Sequence, residues 1–261
     1  MAVRPLAAVA GAVGFLSRIP VGHDEPGWEA FRRSPAAMPV AGYALGCLLA
    51  AAVAVPALVP VAVPTPTAAL ALVVWTYVVT GITHLDGVAD LGDAAVVHGD
   101  ADRRHEVLKD SAVGVGGALA LALVVVGLAT AGLALADLAR VDLLATVGVV
   151  LAGEVAAKAA MATLVCLGDA PHEGLGSALT EESGPTALAG VALATAPATL
   201  VGWPRVAPGV AVLAAAVVVA AAVLWWARAR LGGVSGDVLG AANELARVAG
   251  LHAGVIAWTL S

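Results

Sequence analysis

The sequence predicts an all-α integral membrane protein, a polytopic helical bundle in one domain, and three observations carry that prediction. Apolar residues make up 61% of the 261 positions and charged residues only 12%, where soluble domains run about 45–50% and about 25%. Long stretches carry no charge at all, the first from Ser34 to Leu85. The cations that remain gather on alternate connections between those stretches. Disorder needs low hydrophobicity and high net charge, so the 30 glycines and 14 prolines do not point to it. The net charge of −6 argues against nucleic acid, whose binders carry basic patches. Cys47 and Cys166 lie in apolar stretches without metal-type spacing and read as buried bulk.

A helical span needs roughly 20 mostly apolar residues. Three prolines in Pro60–Pro66 break the first run, as a turn outside the membrane would. One helix is therefore expected at about Ala36–Val59 and a second at about Thr67–Ile82. Further runs at about Val113–Ala136, Leu143–Leu167, Thr186–Val201 and Val210–Ala227 bring the expectation to six spans. Val3–Phe15 is short and glycine-rich, suited to an interfacial or re-entrant helix. Leu245–Leu260 carries Arg247 and His252, and reads either as a span or as an amphipathic helix lying flat.

Arg18, Arg32, Arg33, Arg103, Arg104, Lys109, Arg228, Arg230 and Arg247 fall on one side of this arrangement, Arg140 and Arg205 on the other. The positive-inside rule makes the crowded side cytoplasmic, in a cell membrane crossed several times. The polar connections expected there are His84–Ala112, Gly168–Pro185 and Arg228–Asn243. Chemistry is expected on that face.

The densest chemistry is His84-Leu-Asp-Gly-Val-Ala-Asp-Leu-Gly-Asp93. If the stretch is helical, Asp86, Asp90 and Asp93 stand at i, i+4 and i+7 on one face. Like charges so placed repel, and a divalent cation relieves them. Magnesium takes one or two carboxylates together with substrate phosphate oxygens. The alternative is a solvated acidic loop capping a helix end. Downstream, Asp110 offers a fourth carboxylate, and Arg103, Arg104 and Lys109 offer fixed charge for a phosphoryl group. Gly114, Gly116 and Gly117 then open a helix whose amides can face an anion. Together these residues read as a phosphoryl-transfer site.

The string His84–Gly117 resembles the signature of the cobalamin synthase family, the adenosylcobinamide-GDP ribazoletransferases. Further elements agree in the same order: Phe15-Leu-Ser-Arg-Ile-Pro20, Arg33 with Pro39-Val-Ala-Gly42 and Gly46, Glu173-Gly-Leu-Gly176, and the stretch Leu231–Glu244. Ala94, Ala112 and the pair Pro171-His172 depart from the usual pattern, where glycine, arginine and a basic residue stand. The resemblance implies a magnesium-dependent membrane enzyme. In its reaction a ribose hydroxyl of α-ribazole, or of its 5′-phosphate, attacks adenosylcobinamide-GDP; GMP leaves and adenosylcobalamin, or its phosphate, forms. It also implies site roles: Asp86, Asp90, Asp93 and Asp110 as catalytic and magnesium-binding carboxylates, and Arg33, Arg103, Arg104, Lys109, Ser111, Asp237 and Glu244 as substrate-binding residues. The spaced aspartates are also similar to those of CDP-alcohol phosphotransferases.

Glu154 and Lys158, at i and i+4 inside an apolar run, read first as a mutual ion pair, since an unpaired charge there is expensive. Contact with substrate, or with the cargo of a transporter, is the rival reading. Trp225, Trp226 and Trp258 read as interfacial belt residues. A homo-oligomer is compatible with this sequence.

Overall fold

The computed structural model describes residues 5–261, and among them there is helix and no strand. The helices are α1 (Pro5–Leu16), α2 (Glu25–Arg32), α3 (Ala37–Leu58), α4 (Thr65–Thr80), α5 (Thr83–Val96), α6 (Ala101–Leu108), α7 (Val115–Ala139), α8 (Leu143–Leu167), α9 (Leu175–Thr180), α10 (Leu188–Thr195), α11 (Ala207–Leu231) and α12 (Gly236–Thr259). Single 3-10 turns, Pro185–Ala187 and Ala196–Leu200, flank α10.

Four helices, α3, α7, α8 and α11, are long and apolar enough to cross a membrane. The pair α4 and α5 makes a fifth candidate only if taken together across a bend of 101°. A polytopic helical membrane protein is thus what the chain forms, with differences from the expected runs. The second run stops at Thr80, because Gly81 takes φ +75° and the chain turns. Its acidic continuation is a separate helix, which the bend carries away from the α4 axis and out of the spanning direction. In the run Thr186–Val201, Pro185 and Pro197 lack an amide proton, and only eight residues are α-helical. The expected Arg228–Asn243 loop shrinks to residues 232–235 between α11 and α12.

α12 does not lie flat. It packs against α5, α8 and α11 and buries Glu244 and Arg247. α1 packs on α2 and α3; the first part of the expected N-terminal helix, Val3 and Arg4, lies outside the described residues.

Small residues set the packing, as expected where helices associate without a hydrophobic drive between them. Gly42 and Gly46 of α3 face Val155 and Leu151 of α8, so those two helices are antiparallel. Gly153 faces Leu251, and Gly254 faces Val149, which runs α12 antiparallel to α8. Gly127 faces Val248, and Gly132 faces Ala69, which fixes α7 against α12 and α4. These directions gather the starts of α3, α7 and α12 and the ends of α4, α8 and α11 at one end of the bundle, and α5 lies among them. At the opposite end Arg205 pairs with Asp142 at 3.0 Å, and Arg140 donates to Thr65 and to the Val63 carbonyl.

A Cβ on Gly46 would fall 2.9 Å from the Leu151 Cα, so Gly46→Leu has to push two backbones apart. Overpacking of this kind costs about 1–3 kcal/mol, and thermal unfolding in detergent is expected to show a lowered midpoint. Gly190→Ala is the contrast: its Cβ meets only Ala36 at 3.5 Å, and the midpoint is expected to hold or rise.

Candidate active site

The acidic face forms as the spacing predicts. α5 carries Asp86, exposed, with Asp90 and Asp93, half-buried, on one side. Glycine lets α12 start against it: a Cβ on Gly87 would lie 2.5 Å from the Asp237 carbonyl oxygen, and one on Gly240 would lie 3.1 Å from the His84 Cα. The crossing brings Asp237 to the α5 carboxylates. Asp90 is pushed up to about 6 by burial and then by the charges of Asp237, Asp86 and Asp93.

Asp93 is engaged within the protein. Its carboxylate accepts from the Gly114 amide at 2.7 Å and the Gly117 amide at 2.9 Å, capping α7. A Cβ on Gly114 or Gly117 would strike that carboxylate. The amides expected to face a ligand anion therefore face the protein's own. Asp110 is exposed, accepts from the Ala112 amide at 3.0 Å, and is not among the charges acting on Asp90. Asp237, from the other end of the sequence, joins the α5 carboxylates.

Among the described residues no three His, Cys, Asp or Glu side chains converge as a closed metal site. The all-oxygen donor set still fits magnesium, which keeps waters and substrate oxygens as ligands and needs only one or two carboxylates.

The expected phosphate-binding cations divide. Arg104 is buried and donates to the Ala94 carbonyl, tying α6 to the end of α5. Arg103 is exposed and paired with Glu106 at 2.7 Å. Lys109 and Ser111 are exposed. Arg33 pairs with Glu29 and Glu182 at 3.3 Å each, beside Arg32, which contacts the same two carboxylates. Arg32 holds the Glu29 carboxyl below its usual range by a hydrogen bond. These arginines clamp α2 to the segment after α9.

Glu244 is sealed inside the bundle. The Glu154–Lys158 pair is present at 2.8 Å, with both side chains fully buried. Arg247, counted by sequence among the cations of the cytoplasmic side, lies 2.8 Å from Glu154 and 2.5 Å from Glu244. Lys158 donates to Asn243 Oδ1 at 2.7 Å; Asn243 Nδ2 donates to Glu244 at 2.9 Å and meets His84 Nδ1 at 3.0 Å. The Tyr77 hydroxyl donates to Glu244 at 3.3 Å. Two carboxylates and two cations thus cancel, because an unbalanced charge at this depth is costly. Sequence reasoning missed His84, Asn243 and Tyr77. The available signal was an asparagine beside Glu244 in a stretch read as a loop.

Beside this network lies a cavity of about 420 Å³ lined by Phe15, His84, His172, Leu175, Ser235 and Asp237 among others. A Cβ on Gly176 would meet the Val234 carbonyl oxygen at 2.3 Å, which packs the Glu173–Gly176 element on the turn before α12. Four segments far apart in the sequence, around Phe15, His84, Leu175 and Asp237, therefore meet at one place.

The model of the family described as Cobalamin-5-phosphate synthase matches residues 8–255. A relative from Halorubrum lacusprofundi, named adenosylcobinamide-GDP ribazoletransferase, is 61% identical over 259 residues, covering 97% of this chain and 98% of its own. A relative of that name from Haloquadratum walsbyi is 48% identical, with 98% and 99% covered. Another from Methanocella arvoryzae is 32% identical, with 99% of both chains covered. No solved structure matches.

Glu154→Gln leaves Lys158 and Arg247 without their shared carboxylate. Removing one partner from a buried ion pair costs about 3–5 kcal/mol, and a large fall in the detergent unfolding midpoint is expected. Glu106→Gln breaks only the exposed pair with Arg103 and is expected to leave the midpoint in place.

Proposed function

The chain belongs to the cobalamin-5-phosphate synthase family, and on that premise we propose the following account of its action. The protein joins adenosylcobinamide-GDP to α-ribazole, or to its 5′-phosphate, and releases GMP, a late step of cobalamin biosynthesis. The observation that carries the assignment to this site is the meeting of four distant segments beside a carboxylate cluster at one end of the bundle.

In this transfer the acceptor's ribose hydroxyl oxygen forms a new P–O bond, the diphosphate bridge breaks, and GMP keeps the bridging oxygen. The hydroxyl proton goes to a carboxylate. Asp90 suits that role by position: it stands half-buried on α5, one turn from Asp86 and beside Asp237, and burial raises its carboxyl pKa above that of an ordinary surface aspartate. Asp86 and Asp237 are the residues for magnesium, which when bound offsets the charge of the diphosphate. Asp93 anchors α7 and so fixes α5. Exposed Lys109 and Arg103 are the cations left to meet phosphoryl oxygens, whereas Arg104 and Glu244 hold the fold.

The acidic end faces the cytoplasm in this reading. Its support is the excess of arginine and lysine on that end over Arg140 and Arg205 at the other. One copy of the chain suffices, because all four segments belong to it.

Detergent-purified protein supplied with adenosylcobinamide-GDP and α-ribazole is expected to yield GMP and adenosylcobalamin, and to stop when magnesium is chelated. Asp86→Asn and Asp237→Asn are each expected to lower kcat by roughly 10²-fold or more, while Asp110→Asn keeps most of the activity. Product read by chromatography and mass decides the matter. Full activity in Asp237→Asn, or loss in Asp110→Asn, would mean the wrong fourth carboxylate has been chosen.

A further inference from the structure

We propose that His84 is a fixed hydrogen-bond donor that receives the sugar of the nucleoside acceptor in the cavity of about 420 Å³. This rests on the transferase reading and assigns the acceptor its place within it.

The inference starts from Asn243. Lys158 has only donors, and its ammonium sits 2.7 Å from Asn243 Oδ1. The Glu244 carboxylate has only acceptors and sits 2.9 Å from Asn243 Nδ2. Both contacts fix the amide in one orientation, which turns its second N–H toward His84 Nδ1 at 3.0 Å. A proton on Nδ1 would meet that N–H head-on, and the only acceptor also facing Nδ1, Glu244 Oε1, is at 3.7 Å, beyond hydrogen-bond distance; Nδ1 therefore accepts and the ring proton lies on Nε2. His84 is nine-tenths buried, yet among the described residues Nε2 has no protein partner and is not sealed away. His84 lines the cavity, and with Nδ1 turned to Asn243 the free N–H is on the other edge of the ring.

The lining says what that donor meets. Among the described residues it contains Asp237 and His172 and no lysine or arginine, so the one fixed charge there is negative and favours a neutral group over a phosphate. Phe15, Met161, Leu175 and Leu239 supply an apolar wall, and Thr83, His172, Ser235 and Asp237 supply polar atoms. A flat base against the first set and sugar hydroxyls against the second match that division. A sugar seated on Asp237 also lies beside the α5 carboxylates, where its hydroxyl is to lose a proton.

The test compares Michaelis constants in purified full-length protein. His84→Ala is expected to raise KM for α-ribazole about tenfold, the loss of one buried hydrogen bond, with KM for the GDP-bearing donor nearly unchanged. His84→Gln returns an amide N–H to the cavity and is expected to restore most of the affinity. Wild-type protein labelled with [15N]histidine is expected to show a His84 ring protonated on Nε2. Wild-type turnover with an unaltered acceptor KM in His84→Ala, or a raised donor KM instead, overturns the inference and leaves the transferase reading standing. A ring protonated on Nδ1 overturns it even if His84→Ala does not fold. Absence of turnover in the wild type overturns the transferase reading itself.

Discussion

A carboxylate in the middle of a membrane helix has to find its counter-charge inside the protein, and Glu154 makes that demand on α8. Lys158, one turn away, meets half of it. Arg247 of α12 meets the rest and brings the further demand of Glu244 with it. Each residue turns a helix by about 100°, so a slip of one position in α12 would take Arg247 off Glu154. The register of α12 against α8 is thereby fixed. Register then decides everything at the acidic end: which residue follows Gly236 into the bundle, which glycine meets His84, and where Asp237 lies relative to α5.

The second constraint is approach distance. α5 is held on both sides by contacts that tolerate no Cβ, through Gly87 on the backbone of Asp237 and through Gly92 on Gly116 and Gly117. A helix gripped this closely presents its side chains more rigidly than a loop does. Asp93 adds a charged tether to the α7 amides. The site is built from the ends of α4, α7 and α12 and from α5 laid among them, with the buried ion network directly behind it.

Much of this was legible in the sequence. The charge-free runs marked the long helices, the spacing of Asp86, Asp90 and Asp93 marked a helical acidic face, and Glu154 with Lys158 marked an intramembrane pair. Other features needed tertiary information. Nothing local distinguishes Asp110, which follows the acidic stretch closely, from Asp237, which lies 144 positions beyond Asp93 (237 minus 93) yet shares its neighbourhood. Glu244 reads as a substrate-binding residue and the segment of Arg247 as either a span or a flat helix, because a span is recognised by lacking charge, and α12 hides its charges by pairing them with each other and with Glu154 of α8. The expected helix runs through Gly81 to Ile82, because a lone glycine does not show a bend that depends on where α12 and α7 receive α5.

The two charge clusters follow opposite rules, and the contrast bears on how the acidic end works. Inside the bundle every charge is answered: Glu154 and Glu244 against Lys158 and Arg247, with Asn243 and His84 taking up the remaining polar atoms. At the end of the bundle Asp86, Asp90 and Asp237 crowd together with no ion-pair partner among the described residues, although three cations follow within 20 residues of Asp90. Arg104 is turned to a backbone carbonyl and Arg103 to Glu106. Lys109 is exposed and makes no ion pair with the cluster among the described residues. On the proposed reading, a magnesium ion held there with the diphosphate would offset the charge of the cluster. Neutrality inside the bundle and crowding at its end thus follow burial: the fold answers the carboxylates it encloses, Glu154 and Glu244, and leaves exposed Asp86 and half-buried Asp90 without an ion-pair partner among the described residues.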